Sequence, residues 1–362
     1  MATTPEIEWE ESYLEPVHAP ELKRELERSI GFVAPFFPYY FDCPWIPRSF
    51  VEVGYLNGSR LVHVGMELYE KLNLVVSQQN SCRFCIAAYR SLLRLAGIPE
   101  ERIRRLEQDL LAADLEPAER AALEFARKLA RASPLPTPAD LERLRDAGPG
   151  EAWSREVAFV AAWMGTMNQL ATFSAVSPES MERWPWYAHL LRPFIARRFS
   201  SRWRQGKPET LEPELRSGPF AYLVDAFDGL PTARSLRNVV DAAWSSPLLP
   251  RRTKALVFAV VARGLGAARA GREAARLSAE EGVDADTLDE VLDHLESPAL
   301  DAVESEAVPF ARETLWYQPA PIQRRVRELR GKLEAPQVSE LIGISALANT
   351  LCRLDAVIPE AK

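Results

Sequence analysis

Apolar residues in this chain recur at intervals of three and four, and that period limits what it can fold into. In "PAERAALEFARKLAR", Ala121, Leu123, Phe125, Ala126 and Leu129 form one stripe with charges between them, as in a helix with one buried face. No convincing alternating run competes, so the chain is expected to be all-α, with prolines and glycines marking the connections. Hydrophobic residues make up 47% and charged residues 26%, enough to build a sizeable core and too apolar for wholesale disorder. The 362 residues exceed a typical single domain and suggest two.

The chain repeats itself. "ALEFARKLARASPLPTPADLERLRD" resembles "AVPFARETLWYQPAPIQRRVRELRG", so that Phe310-Ala311-Arg312 follows Phe125-Ala126-Arg127 by 185 residues. The same offset places Gly97 on Gly282 and "LNLVVSQQNSCRFCIAAYRSLL" on "VFAVVARGLGAARAGREAARLS", while "NQLATFSAV" from Asn168 resembles "NTLCRLDAV" from Asn349. A unit of this length is a domain rather than a solenoid repeat. We expect two related helical domains, 1–180 and 215–362, joined by a linker over 181–214.

The chemistry concentrates in "EKLNLVVSQQNSCRFCIAAYRSLLRLAG", Glu70 to Gly97. Cys82 and Cys85 form a Cys-x-x-Cys pair at a predicted helix start, with Ser81 as the expected N-cap. Free N–H groups at a helix start favour a thiolate, the reactive form of sulfur. Tyr89 lies one turn after Cys85, beside that sulfur. Glu70 falls on the preceding helix, within reach if the two helices are antiparallel neighbours. At the repeat offset Glu70, Cys82, Cys85 and Tyr89 fall on Ala255, Ala267, Ala270 and Ala274, so the second copy is expected to keep the fold without this chemistry. The alternative for the cysteines is a pair of small buried residues.

Glu70, the twelve-residue spacing, the Cys-x-x-Cys pair and a polar side chain four later resemble the alkylhydroperoxidase D-like members of the carboxymuconolactone decarboxylase-like superfamily. Ser77, Asn80 and Ala87-Ala88 extend the likeness. The resemblance covers Glu70 to Gly97 well, the rest of the first half loosely, and the second half only through the repeat. It implies an all-helical AhpD-like fold, repeated here as an intramolecular pseudo-dimer, and a thiol-dependent peroxidase or disulfide reductase. By this resemblance Cys85 attacks a hydroperoxide, Cys82 resolves the sulfenic acid, and Glu70 serves a proton relay that passes through a histidine where this chain has Tyr89. A phenol with an ordinary pKa near ~10 is a poor base at neutrality, though it can donate a hydrogen bond. A lipoyl or thioredoxin-like reductant and a homo-oligomer are implied as partners. The contrasting expectation is a helical scaffold or binding protein that lost the relay and carries an apolar pocket between its halves. A decarboxylase activity is a weaker third reading.

Other features point elsewhere. A net charge of −7 argues against nucleic-acid binding. The acidic, polar N-terminus and the lack of a long apolar run lead us to expect a cytoplasmic protein with no integral membrane segment. No cofactor is expected, since no glycine-rich phosphate loop is found. The four cysteines and four histidines show no zinc-ligand spacing. His63 could replace the missing histidine in space, Cys43 reads as structural, and Asn168 and Asn349 read as a shared structural hydrogen bond. From Arg192 to Lys207 six basic residues occur without an acidic one, interleaved with Phe194, Phe199 and Trp203 and preceded by Trp184 and Trp186. That stretch is read as a linker helix, with an anionic surface as the alternative partner.

Overall fold

The computed structural model describes residues 7–12, 14–31, 33–53, 60–108, 110, 114–131, 134–178 and 205–360. Sixteen α-helices and two short 3₁₀ turns account for the regular structure among these residues, with no β-strand. Those of the first half are α1 (Pro20–Ile30), α2 (Trp45–Glu52), α3 (Met66–Gln79), α4 (Arg83–Leu95), α5 (Glu100–Gln108), α6 (Pro117–Ala130), α7 (Pro138–Ala147) and α8 (Glu151–Phe173). After residue 205 come α9 (Ala221–Asp225), α10 (Pro231–Ser245), α11 (Arg251–Leu265), α12 (Ala268–Glu280), α13 (Ala285–His294), α14 (Ala302–Glu313), α15 (Pro319–Arg330) and α16 (Ala335–Val357).

Local chemistry explains the boundaries. Proline opens α1, α6, α7, α10 and α15, where a missing N–H costs nothing. Thr137 with Asp140, and Asp301 with Glu304, form capping boxes at α7 and α14. Gly97 and Gly282 follow α4 and α12 with φ of 92° and 80°, a left-handed turn that a side chain resists. The helices α8 and α16 each run 23 residues and are buried around almost their whole circumference, so they sit at the centre of the molecule.

These two helices pack on each other, with a reciprocal polar contact at the crossing. Thr166 Oγ1 lies 2.5 Å from Thr350 Oγ1; Thr166 donates to the Ala346 carbonyl at 3.3 Å and Thr350 to the Ala162 carbonyl at 3.1 Å. Around them the order of the helices from α3 to α8 returns from α11 to α16. Cys82, capping α4, has φ −79° and ψ 91°; Ala267, capping α12, has −81° and 88°.

A buried carboxylate pins the entry to each central hairpin. Glu156 on α8 accepts the N–H groups of Val62, His63 and Val64 at 2.6, 2.7 and 2.9 Å. On α16, Glu340 accepts the Leu249 N–H at 2.5 Å and pairs with Lys254 Nζ at 3.0 Å, both side chains fully buried. Lys254 also donates to the carbonyls of Ala243 and Ser246. Burial lowers its pKa, against the pull of Glu340.

The aromatic and basic linker reading falls mainly on residues 179–204, outside the described residues. Where the described chain resumes, the Gly206 N–H donates to the Leu61 carbonyl at 2.6 Å. No described helix is long and apolar enough to cross a membrane.

Removing one partner of a buried ion pair strands the other. Lys254→Met should therefore cost about 3–5 kcal/mol in urea unfolding, and adding Glu340→Leu should recover much of that loss. Equal destabilisation in the single and double variants would show that Glu340 does not depend on Lys254.

Candidate functional site

The helices α3 and α4 form a hairpin closed by Asn80, Ser81 and Cys82. The expected N-cap is corrected by one residue: Ser81 adopts a left-handed φ of 52° that closes the turn after α3, and Cys82 is the cap. Cys82 Sγ accepts the Cys85 N–H at 3.4 Å and lies 2.7 Å from Cys85 Sγ. Both cysteines are free thiols, with Cys82 fully buried and Cys85 only 4% exposed.

The depressed thiol pKa that the enzyme reading expects is not found at Cys85. Burial, then the adjacent Cys82 sulfur, push its pKa well above the ordinary thiol value, while a hydrogen bond with Asn168 acts in the opposite direction. Asn168 on α8 also donates to Ser77 Oγ at 3.2 Å and accepts from Asn80 at 2.9 Å. The residue read as purely structural thus ties the hairpin turn to the Cys85 sulfur. Its counterpart Asn349 donates to Thr314 Oγ1 and the Ser345 carbonyl, both at 3.0 Å.

Glu70 lies on α3, fully buried, and neither carboxylate oxygen has a hydrogen-bond partner. Burial alone raises its pKa to about 8, so it holds a proton at neutrality. Tyr89 is also buried and directs its hydroxyl to Met167 Sδ at 3.8 Å; no hydrogen bond joins it to Glu70. The idea that His63 stands in for the missing histidine is overturned: its side chain is exposed, and no charged neighbour contributes to the shift of Glu70. Cys43 is buried with a thiol pKa raised by that burial. Among the described residues no cluster of His, Cys, Asp and Glu could hold a metal ion.

A cavity of about 540 Å³ opens where the halves meet. One wall is the end of the α3–α4 hairpin, Asn80 and Ser81; the opposite wall is Trp316 and Tyr317 between α14 and α15, together with Arg353 from α16. The expected pocket between the halves exists, but polar side chains line much of it rather than an apolar surface. The sulfurs lie behind Ser81 and are not part of the wall.

Sequence reasoning missed Tyr317. Its hydroxyl is buried beside the Thr172 side chain, and its ring packs edge-on against Phe173 at 5.0 Å. Burial, and then the charge that Cys82 and Cys85 would carry, push its phenol pKa well up. The signal was present in the aligned segments, where Trp316-Tyr317 stands opposite Arg131-Ala132.

A buried acid that keeps its proton only in the folded state makes stability depend on pH. Glu70 titrates near 4.5 when ordinary and near 8 in the fold. Between those values the native state binds a proton that the unfolded chain has lost, so stability falls as pH rises. Glu70→Gln should match the wild type below about pH 4 and gain on the order of 3 kcal/mol at pH 7. Urea titrations across that range check this, and a loss of stability at every pH would contradict it.

No curated protein and no solved structure gives a significant match to the chain. Residues 63–128, which contain Glu70, Cys82, Cys85 and Tyr89, match the model of the carboxymuconolactone decarboxylase family. The likeness to that family is confined to this segment of the first half.

Proposed function

We propose that the protein is a thiol-dependent oxidoreductase that reduces a hydroperoxide or a disulfide through Cys85 and Cys82. The observation that carries this reading is the 2.7 Å approach of two free thiols at the start of α4. With a hydroperoxide, the Cys85 thiolate attacks one oxygen, the S–O bond forms and the O–O bond breaks. The released alkoxide takes a proton and leaves as an alcohol. Cys82 then attacks the Cys85 sulfenic acid, the S–S bond forms, and hydroxide leaves as water. An external dithiol restores the pair.

Glu70 is the proton-handling group of this scheme. With a pKa of about 8 it can give and take a proton near neutrality, which an ordinary carboxylate does poorly. Tyr89 supports the wall behind Cys85 and is not the base. The second half, with alanine at all four matching positions, acts as a fused partner. The recurring helix order and the reciprocal threonine contact support a tandem origin.

The burial of both sulfurs and the raised Cys85 thiol favour a second reading, a scaffold whose pair is inert. Peroxide consumption in the presence of dithiothreitol separates the two. Cys85→Ser should lower the rate about 100-fold or more. Cys82→Ser should leave a sulfenic acid that dimedone traps. The wild-type rate should rise with pH through about 8, where Glu70 loses its proton, and Glu70→Gln should remove that rise. A rate unchanged when both cysteines are replaced would establish the scaffold.

A further inference from the structure

The cavity between the halves carries charge of one sign. Among its described lining residues are Arg131 and Arg353 and no aspartate or glutamate, although the chain as a whole bears a net charge of −7. Arg353 is 7% exposed, and no carboxylate pairs with it. Its Nη1 donates to the carbonyls of Leu129 and Arg131 at 2.8 and 2.5 Å, capping the end of α6. Burial lowers its pKa to about 10, so the guanidinium keeps its charge at neutrality. Nε and Nη2 make no hydrogen bond to protein.

Polar atoms without partners belong to other residues of the same cavity. Gln169 donates its amide to the Thr314 carbonyl and Asn349 donates to Thr314 Oγ1 and the Ser345 carbonyl. These donors fix both amide orientations and leave Gln169 Oε1 and Asn349 Oδ1 buried and unpaired. Gln169 and Asn349 are themselves nearly fully buried, at 4% and 3% exposure. The Tyr317 hydroxyl is buried as well, with the Thr172 side chain as its polar neighbour. Unpaired buried polar atoms are costly, and Arg353, Tyr317, Gln169 and Asn349 are all residues of this one cavity. Its volume suits a small organic molecule.

We propose that this cavity binds a small organic carboxylate that also bears a hydrogen-bond donor, with Arg353 taking the carboxylate and Gln169 and Asn349 accepting from the donor group. A singly charged carboxylate fits better than a phosphate. The cavity meets the carbonyl ends of α3 and α6 at Gln79, Ala130 and Arg131 and one helix start, that of α15 at Gln318 and Pro319, so two helix ends oppose a second negative charge and one favours it. Binding stands by itself; that the ligand is also the substrate, with its reducible group toward Ser81 and the cysteines, rests on the thiol reading above.

Gln169 and Arg353 cap the matching helix ends, Gln169 at Thr314 and Arg353 at Leu129. Arg353→Gln therefore keeps an amide cap of the kind the other half already uses, and removes the charge. Calorimetric titration of the full chain in about 150 mM salt, with salicylate, salicylamide and inorganic phosphate, provides the test. Salicylate should bind, salicylamide at least tenfold more weakly, and phosphate not measurably. Arg353→Gln should weaken salicylate at least tenfold with its unfolding midpoint retained. Cys85→Ser should bind salicylate as the wild type does, so a failure of the redox reading leaves this result standing. No binding of salicylate, equal binding of the amide or of phosphate, or an unaltered Arg353→Gln would overturn the proposal.

Discussion

The crossing of α8 and α16 is the constraint on which the rest depends. Two 23-residue helices buried around nearly their full circumference must meet face to face, and each must satisfy its own polar groups within the contact. Thr166 and Thr350 do this by exchanging hydrogen bonds with carbonyls of the opposite helix. Once the crossing is fixed, Glu156 and Glu340 hold the entry loops of the two central hairpins. Gln169 and Arg353 then reach across to cap α14 and α6. The cavity is what this geometry leaves open beside the crossing.

Cys85 is held in a way that resists ionisation. Its sulfur is buried beside that of Cys82, and both effects push its pKa up, so it stays a thiol at neutrality. One group opposes that tendency: Asn168 offers Cys85 a hydrogen bond. Glu70, kept protonated by burial alone, is close to releasing its proton in the physiological range. An unpaired buried acid and several unpaired amide and hydroxyl groups cost stability, and such costs concentrate where chemistry or binding uses them. The Trp316 ring, half-exposed and stacked with Arg312 at 4.3 Å, marks the open rim of the same region.

Much of this was legible in the sequence. The spacing of Leu123, Phe125, Ala126 and Leu129 gave α6, and prolines and glycines marked the connections. The alignment of Phe125-Ala126-Arg127 with Phe310-Ala311-Arg312 anticipated the return of the same helix order. The N-cap was missed by one residue because Ser81 is spent on the left-handed turn that ends α3. Arg353 was not legible as a site residue: it lies far along the chain from the cysteines, and only the packing of α8 on α16 brings its helix to the hairpin. The acidity of Cys85 was misjudged for a related reason. Local position at a helix start argues for a thiolate, but burial under the second half decides the balance.

The central claim is that Cys82 and Cys85 cycle between dithiol and disulfide. The most direct measurement is the mass of the peptide spanning both cysteines, taken after one equivalent of peroxide and alkylation of the remaining thiols. The account predicts a peptide lighter by two hydrogens and protected from alkylation, with dithiothreitol restoring two alkylation sites. A peptide that is fully alkylated after peroxide once the protein is unfolded would contradict it.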